Sequence, residues 1–186
     1  MALERPRAKT ENLSLRLDPK TKFMLDFMAR LRGQSITAVV EQSIREAAAK
    51  TGIDGYDGNN EFSYRWSKYW DPSDGVRTLN LISEPEYPTT YEEDELRQFT
   101  LDHWPFFYFD NKGTRPRRAS VDTLWSSMPE FLSIWMQTKA TSRWSASMKM
   151  IERLRAAGMK APTPWPPKEL ANAPSIADEL DDDIPF

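Results

Sequence analysis

Residues 12–17, NLSLRL, alternate polar and apolar with period two. An extended chain would therefore turn Leu13, Leu15 and Leu17 to one face and Asn12, Ser14 and Arg16 to the other. That is a strand signal. Asp18-Pro19 follows, an N-cap residue with proline at the first helical position, and Phe23, Leu25, Phe27, Met28 and Leu31 give a mostly apolar helix. Gly33 ends it. Ser35 then caps a second helix, whose apolar positions Ile36, Val39, Val40, Ile44 and Ala47 keep helical spacing.

Beyond residue 50 the pattern changes twice. Gly and Asp crowd residues 52–60, which predicts a linker over 51–60. Phe62, Tyr64, Trp66, Tyr69 and Trp70 suggest a short strand or turn cluster, and Thr89 or Thr90 followed by Glu92, Glu93 and Asp94 predicts a helix start that continues through Leu96 and Phe99. Residues 104–113, WPFFYFDNKG, predict a proline-led strand over 106–109 closing on a turn. Three helical stretches follow: one from Ser120 through Val121, Leu124, Trp125 and Met128, one opened by Pro129, and one from about Thr141 through Trp144, Met148 and Ile151 to Leu154. Gly158 stops the last. No internal repeat is visible.

Composition narrows the function classes. The 186 residues include no cysteine and one histidine, His103, which removes disulfides, thiol nucleophiles and nearly every zinc site. No metal or cofactor is expected. Residues 1–10 lack the apolar core of a signal peptide, and no run approaches the roughly 18 apolar residues of a membrane span, so the sequence reads as a cytoplasmic protein with no membrane partner. Eighteen of the 22 aromatics fall in residues 56–160, which makes 61–160 a second, mainly helical body. Net charge is only -3. Its distribution matters more: residues 1–50 hold ten Lys/Arg against six Asp/Glu, whereas 167–186 hold one against six. A basic head suits a phosphate backbone, and an acidic end does not.

One strand and two helices in about 40 residues cannot bury their apolar surface alone without a metal, disulfides or a partner chain. Pairing the strand with its copy in a second chain makes a two-stranded antiparallel ribbon that turns the leucines onto the helices, with Val39, Val40 and Ile44 completing the dimer core. Asn12, Ser14 and Arg16 of both chains would then project from a surface that fits the major groove of double-stranded DNA.

In its residues LSLRLDPKTK, ARLRGQS and ITAVV the segment 9–50 resembles the ribbon-helix-helix family of Arc, MetJ and CopG, most closely its antitoxin-like branch. The resemblance implies base contacts from Asn12, Ser14 and Arg16. It also implies a phosphate held at the start of the second helix by Ser35, Ile36 and Thr37. Arg5, Arg7 and Lys9 would add backbone contacts that carry no sequence information. The competing reading is an amphipathic hairpin, or a ribbon that only dimerises.

No catalytic constellation is found, and the chain is not expected to be an enzyme. The acids of YEEDE are ordinary for a helix start, and His103, which could act as a base, is more simply packed. No Gly-rich phosphate loop, metal spacing or nucleophile elbow occurs. One patch has two readings: Lys112, Arg115, Arg117 and Arg118 lie near the aromatics at 106–109, as in single-strand binding sites, or a buried aromatic strand lies beside a solvated basic loop.

Prolines at 162, 164, 166, 167 and 174 predict an extended linker over 161–180, at about 3.1 Å per residue reaching up to roughly 60 Å. At its end, residues 181–186 read DDDIPF. Phe186 would offer a ring and a carboxylate to an apolar pocket rimmed by basic groups, Pro185 and Ile184 would limit the entropy lost and add contact, and Asp181, Asp182 and Asp183 would steer the tip. This tip resembles the C-terminal end of the bacterial single-stranded-DNA-binding protein, SSB. That resemblance covers these six residues only, and implies docking to the host replication and repair proteins that bind the SSB tail, such as primase, helicases and exonucleases.

The sequence therefore predicts an α+β, mainly helical chain. It would hold a dimeric DNA-binding module at 1–50, a linker at 51–60, a helical aromatic-rich domain at 61–160, and a disordered acidic tail of linker and tip. The function expected is a sequence-specific regulator or replication and repair accessory factor of the bacterial nucleoid, from a plasmid, phage or integrative element. Two alternatives are a decoy inhibitor that competes with SSB, and an antitoxin-type repressor whose body wraps a toxin.

Overall fold

The computed structural model describes residues 13–57, 60–142, 144–162 and 165–166. The chain divides into two compact units, Met1–Thr51 and Gly52–Phe186. Unit 1 is a helical hairpin of α1 (Pro19–Arg32) and α2 (Ile36–Ala48). Unit 2 carries the antiparallel strands β1 (Gly52–Asp57) and β2 (Asn60–Arg65), then α3 (Asp74–Ile82), α4 (Tyr91–Asp102), α5 (Trp104–Phe107), α6 (Arg118–Leu124), α7 (Met128–Thr138) and α8 (Ser145–Ala156). Short 3-10 turns precede α3 and α7, at Trp66–Lys68 and Trp125–Ser127. The described chain is thus mainly helical with one two-stranded sheet. No helix among these residues is long and apolar enough to cross a membrane, and they hold no cluster of three or more potential metal ligands.

The helix signals locate the elements of unit 2. Thr90 caps α4 with its hydroxyl on the Glu93 N–H at 3.3 Å, while the Glu93 carboxylate accepts the Thr90 N–H at 2.8 Å, a reciprocal capping box beneath three acids in the first turn. Pro129 opens α7 and Gly158, at φ 71°, follows α8. Ser73 caps α3, a helix not anticipated from the sequence although Val76, Leu79 and Ile82 recur at every third position and are buried. The core joins these to Phe99 of α4, Phe106 and Phe107 of α5, Val121 and Leu124 of α6, Phe131 and Trp135 of α7, and Met150 and Leu154 of α8.

Four sequence expectations are corrected. The strand expected over 12–17 is not formed in the single chain: residues 13–18 have no regular secondary structure. A strand's N–H and C=O groups pair only with a neighbouring strand, and both strands among the described residues pair with each other instead. The expected linker at 51–60 is largely β1 and the start of β2. Gly55 sits opposite Phe62, whose ring would lie 2.5 Å from a Cβ added there, so this glycine seats an aromatic and confers no looseness. Residues 106–109 do not form a strand: Pro105 is the second residue of the helical turn α5, and only Tyr108 makes an isolated bridge, to Pro116. A buried aromatic run has no polar side to set its period, so helix and strand look alike. The linker expected from residue 161 does not begin there, because Ala161 and Trp165 pack against the core. The Trp165 ring stacks on His103 with centroids 6.0 Å apart and meets Phe106 and Trp144 edge-on at 4.5 and 5.5 Å. His103 itself is buried, with Nδ1 2.9 Å from the Phe99 carbonyl oxygen. It is a core residue.

α3 reaches α6 through Gly75, where an added Cβ would lie 2.5 Å from Val121 and 2.6 Å from Trp125. Gly75→Ala is expected to cost about 1–3 kcal/mol through overpacking, measured as a lower denaturation midpoint of unit 2.

Candidate nucleic-acid interface

Asp18 starts α1. Its carboxylate accepts the Thr21 hydroxyl at 2.5 Å and the N–H groups of Lys20 and Thr21 at 3.0 and 3.1 Å. The Thr21 hydroxyl and N–H hold the Asp18 carboxyl below its usual range. At the other end Gly33 turns left-handed, φ 60° and ψ 32°, and the Gln34 N–H returns to the Ala29 carbonyl at 3.0 Å. Ser35 then caps α2 by accepting the Ala38 N–H at 3.1 Å. The turn Gly33-Gln34-Ser35 thereby presents the first residues of α2, Ile36 and Thr37, exposed beside Ser35.

This capped hairpin buries little. Ala29 and Val39 are its only buried apolar residues among those described. Leu13, Leu15, Phe23 and Leu31 expose 74, 60, 69 and 71% of their surface, and Leu17, Phe27 and Ile44 are also exposed. An apolar groove of about 650 Å³ runs between Leu15, Leu17, Phe23, Phe27, Val40 and Ile44. Val40 is half-buried at its edge. Ser14 and Arg16 are exposed between the leucines. The structure thus brings Leu15, Leu17, Val40 and Ile44 of the expected dimer core together. Phe23 and Phe27 line the same groove, stacked with centroids 6.2 Å apart, and were not assigned to that core. The signal for them was an apolar stripe wider than a two-helix contact consumes.

Arg5, Arg7, Lys9 and Asn12 lie outside the described residues, as do the acidic tip Asp181, Asp182, Asp183, Ile184, Pro185 and Phe186 and most of the linker before it.

In unit 2 the basic loop and its aromatics divide. Phe106, Phe107 and Tyr108 are buried in the core, and burial pushes the Tyr108 phenol up to about 12. These three rings have no face to offer a ligand. Phe109 does: it is exposed, with the guanidinium carbons of Arg117 and Arg115 4.5 and 5.5 Å from its ring centre. Lys112, Arg115 and Arg118 are exposed and Arg117 is half-buried. No known protein family, curated protein or solved structure matches the chain.

Proposed function

We propose that the chain acts as a homodimeric, sequence-specific binder of double-stranded DNA, and that its DDDIPF segment engages proteins that bind the SSB tail. The observation that carries the first half is the leucine face of unit 1, exposed along Leu13, Leu15 and Leu17 and interleaved with Ser14 and Arg16. Burying a large apolar side chain contributes roughly 1.5–3 kcal/mol, and each protomer has several to contribute. A second copy of the same face supplies what covers them, because strand edge meets strand edge and leucine meets leucine across a two-fold axis. The polar positions of both strands then share the outer surface, and arginine there is the commonest side chain for reading guanine.

The second half rests on resemblance of the six residues and on the charge asymmetry between residues 1–50 and 167–186. The packed core of unit 2 weighs against the antitoxin alternative, since a segment that folds around a toxin has no core of its own.

Selection from a randomised duplex pool tests the reading. The intact chain is expected to enrich a two-fold-related motif, and Arg16→Ala to bind that motif about 10–100-fold more weakly, the loss of a bidentate base contact. A pool that yields no motif, or an alanine variant that binds it equally, refutes base reading by the ribbon.

A further inference from the structure

Among the exposed rings described in unit 2, Trp70 at 57% and Phe109 at 54% are the two that carry arginine. The core behind them is filled without either. Each ring carries arginine on one side. The Arg77 guanidinium carbon lies 4.7 Å from the Trp70 ring centre, and Arg117 and Arg115 flank Phe109 as described.

The arginines are held in place. Arg77 donates to the Asp71 carbonyl at 3.0 Å and pairs with Asp74, and Arg117 Nε donates to the Tyr108 carbonyl at 2.6 Å. Arg118 pairs with Asp71, the residue after Trp70. The Asp71–Arg118 pair thus ties the segment that carries Trp70 to the segment that carries Arg117 and Phe109.

The loop that carries its far end is pre-shaped. Asp110 accepts the Lys112 N–H, the Thr114 N–H and the Thr114 hydroxyl at 3.1, 3.1 and 2.9 Å. Phe109 N–H reaches the Arg115 carbonyl at 2.9 Å, and Arg117 N–H the Phe107 carbonyl at 2.7 Å. Gly113 turns with φ 74° over Leu101, where a Cβ would come within 2.7 Å. The one acid of residues 109–118 is thus engaged by its own loop; Arg118 is paired with Asp71 and Arg117 is tied to the Tyr108 carbonyl, while exposed Lys112 and Arg115 face solvent on either side of the turn.

We propose that this surface binds single-stranded nucleic acid, with unpaired bases stacking on Trp70 and Phe109 and the phosphate backbone following the arginines between them. Exposed aromatic faces favour a ligand with flat apolar faces, and the cations favour a polyanion; an unpaired strand has both. A duplex has its base faces covered and offers nothing to the rings. Oligothymidylate and oligouridylate share the chemistry, so both belong in the test. All residues of this surface belong to unit 2.

Fluorescence anisotropy of labelled 20-residue oligothymidylate and oligouridylate, with the full chain and excess unlabelled duplex to occupy the head, tests it. Binding is expected for the native chain, with roughly tenfold loss for Trp70→Ala, a similar loss for Phe109→Ala, and loss also for Arg115→Glu, which keeps both rings. Because both rings are exposed, the variants are expected to keep the native unfolding midpoint, which separates lost binding from lost fold. Preference for either oligonucleotide supports the proposal and ranks deoxythymidylate against uridylate, which differ in the 2′-hydroxyl and in the thymine methyl. No binding by the native chain at low salt overturns the proposal. So does a charge-reversal loss without a ring-truncation loss, since that is a charge patch without stacking. Equal binding by all chains, with a synthetic DDDIPF peptide binding the native surface, assigns it to an acidic peptide instead.

Discussion

Leu15→Asp is expected to leave the chain monomeric and to abolish duplex binding together with it. Leu15 lies in the middle of the alternating segment, 60% exposed in the single chain and lining the groove with Leu17, Phe23, Phe27, Val40 and Ile44. In a paired ribbon it would be covered by both chains, and the substitution would place two carboxylates, one from each copy, in an apolar seam. Truncating a buried leucine costs about 2–5 kcal/mol, and an unpaired buried charge adds several more, which exceeds the margin of an interface built on a few residues. The single chain pays almost nothing, because in it residue 15 meets water. Unit 2 has its own core and should unfold at its native midpoint. Size-exclusion chromatography with gel-shift on the selected motif reads both consequences. A variant that stays dimeric would mean that the leucine face is not the seam.

Deleting Phe186 is expected to lower affinity for a purified exonuclease that binds the SSB tail by at least tenfold, while leaving duplex binding unchanged. The ring is the largest apolar group in the acidic segment, and burying one contributes roughly 1.5–3 kcal/mol, about one to two decades in affinity. The acids before it would set the rate of encounter and its salt dependence. A dimer carries two such segments, so a target with two pockets would lose more than a target with one. Trp165, seated on His103 and Phe106, belongs with the core of unit 2, so residues 161–165 do not add to the reach expected from proline spacing alone. A solubilising tail predicts no change on deletion, in a measurement by anisotropy with a labelled native chain.

Where the sequence was legible, a local rule sufficed. Asp18-Pro19, Gly33, Ser35, Thr90 with Glu93, and Gly158 mark helix ends because orphan N–H and C=O groups have few partners within reach. Where it was illegible, distant contacts decided. Gly55 reads as a linker glycine because Phe62, which faces it across the strands, is not a near neighbour in sequence, and Phe106 and Phe107 read as strand residues because both sides of the run are buried. Ser73, Val76, Leu79 and Ile82 carried a readable helix signal that the neighbouring aromatics Tyr69 and Trp70 overshadowed. At the head, the leucine alternation predicts a strand that the single chain does not form, and Leu15 and Leu17 instead line an exposed apolar groove. At the loop, the sequence sets four basic residues beside the aromatics at 106–109 but does not tell the buried rings Phe106, Phe107 and Tyr108 from the exposed Phe109. Trp70 is joined to Arg118 only by the pairing of Asp71, 47 positions away in sequence, and no local pattern encodes it.

Sedimentation equilibrium of the intact chain from low to high micromolar concentration tests the paired ribbon most directly. Two-fold pairing of unit 1 predicts a species of twice the 21.6 kDa chain mass that dissociates only on dilution. A single 21.6 kDa species throughout that range, folded and with its leucine face in water, would contradict it.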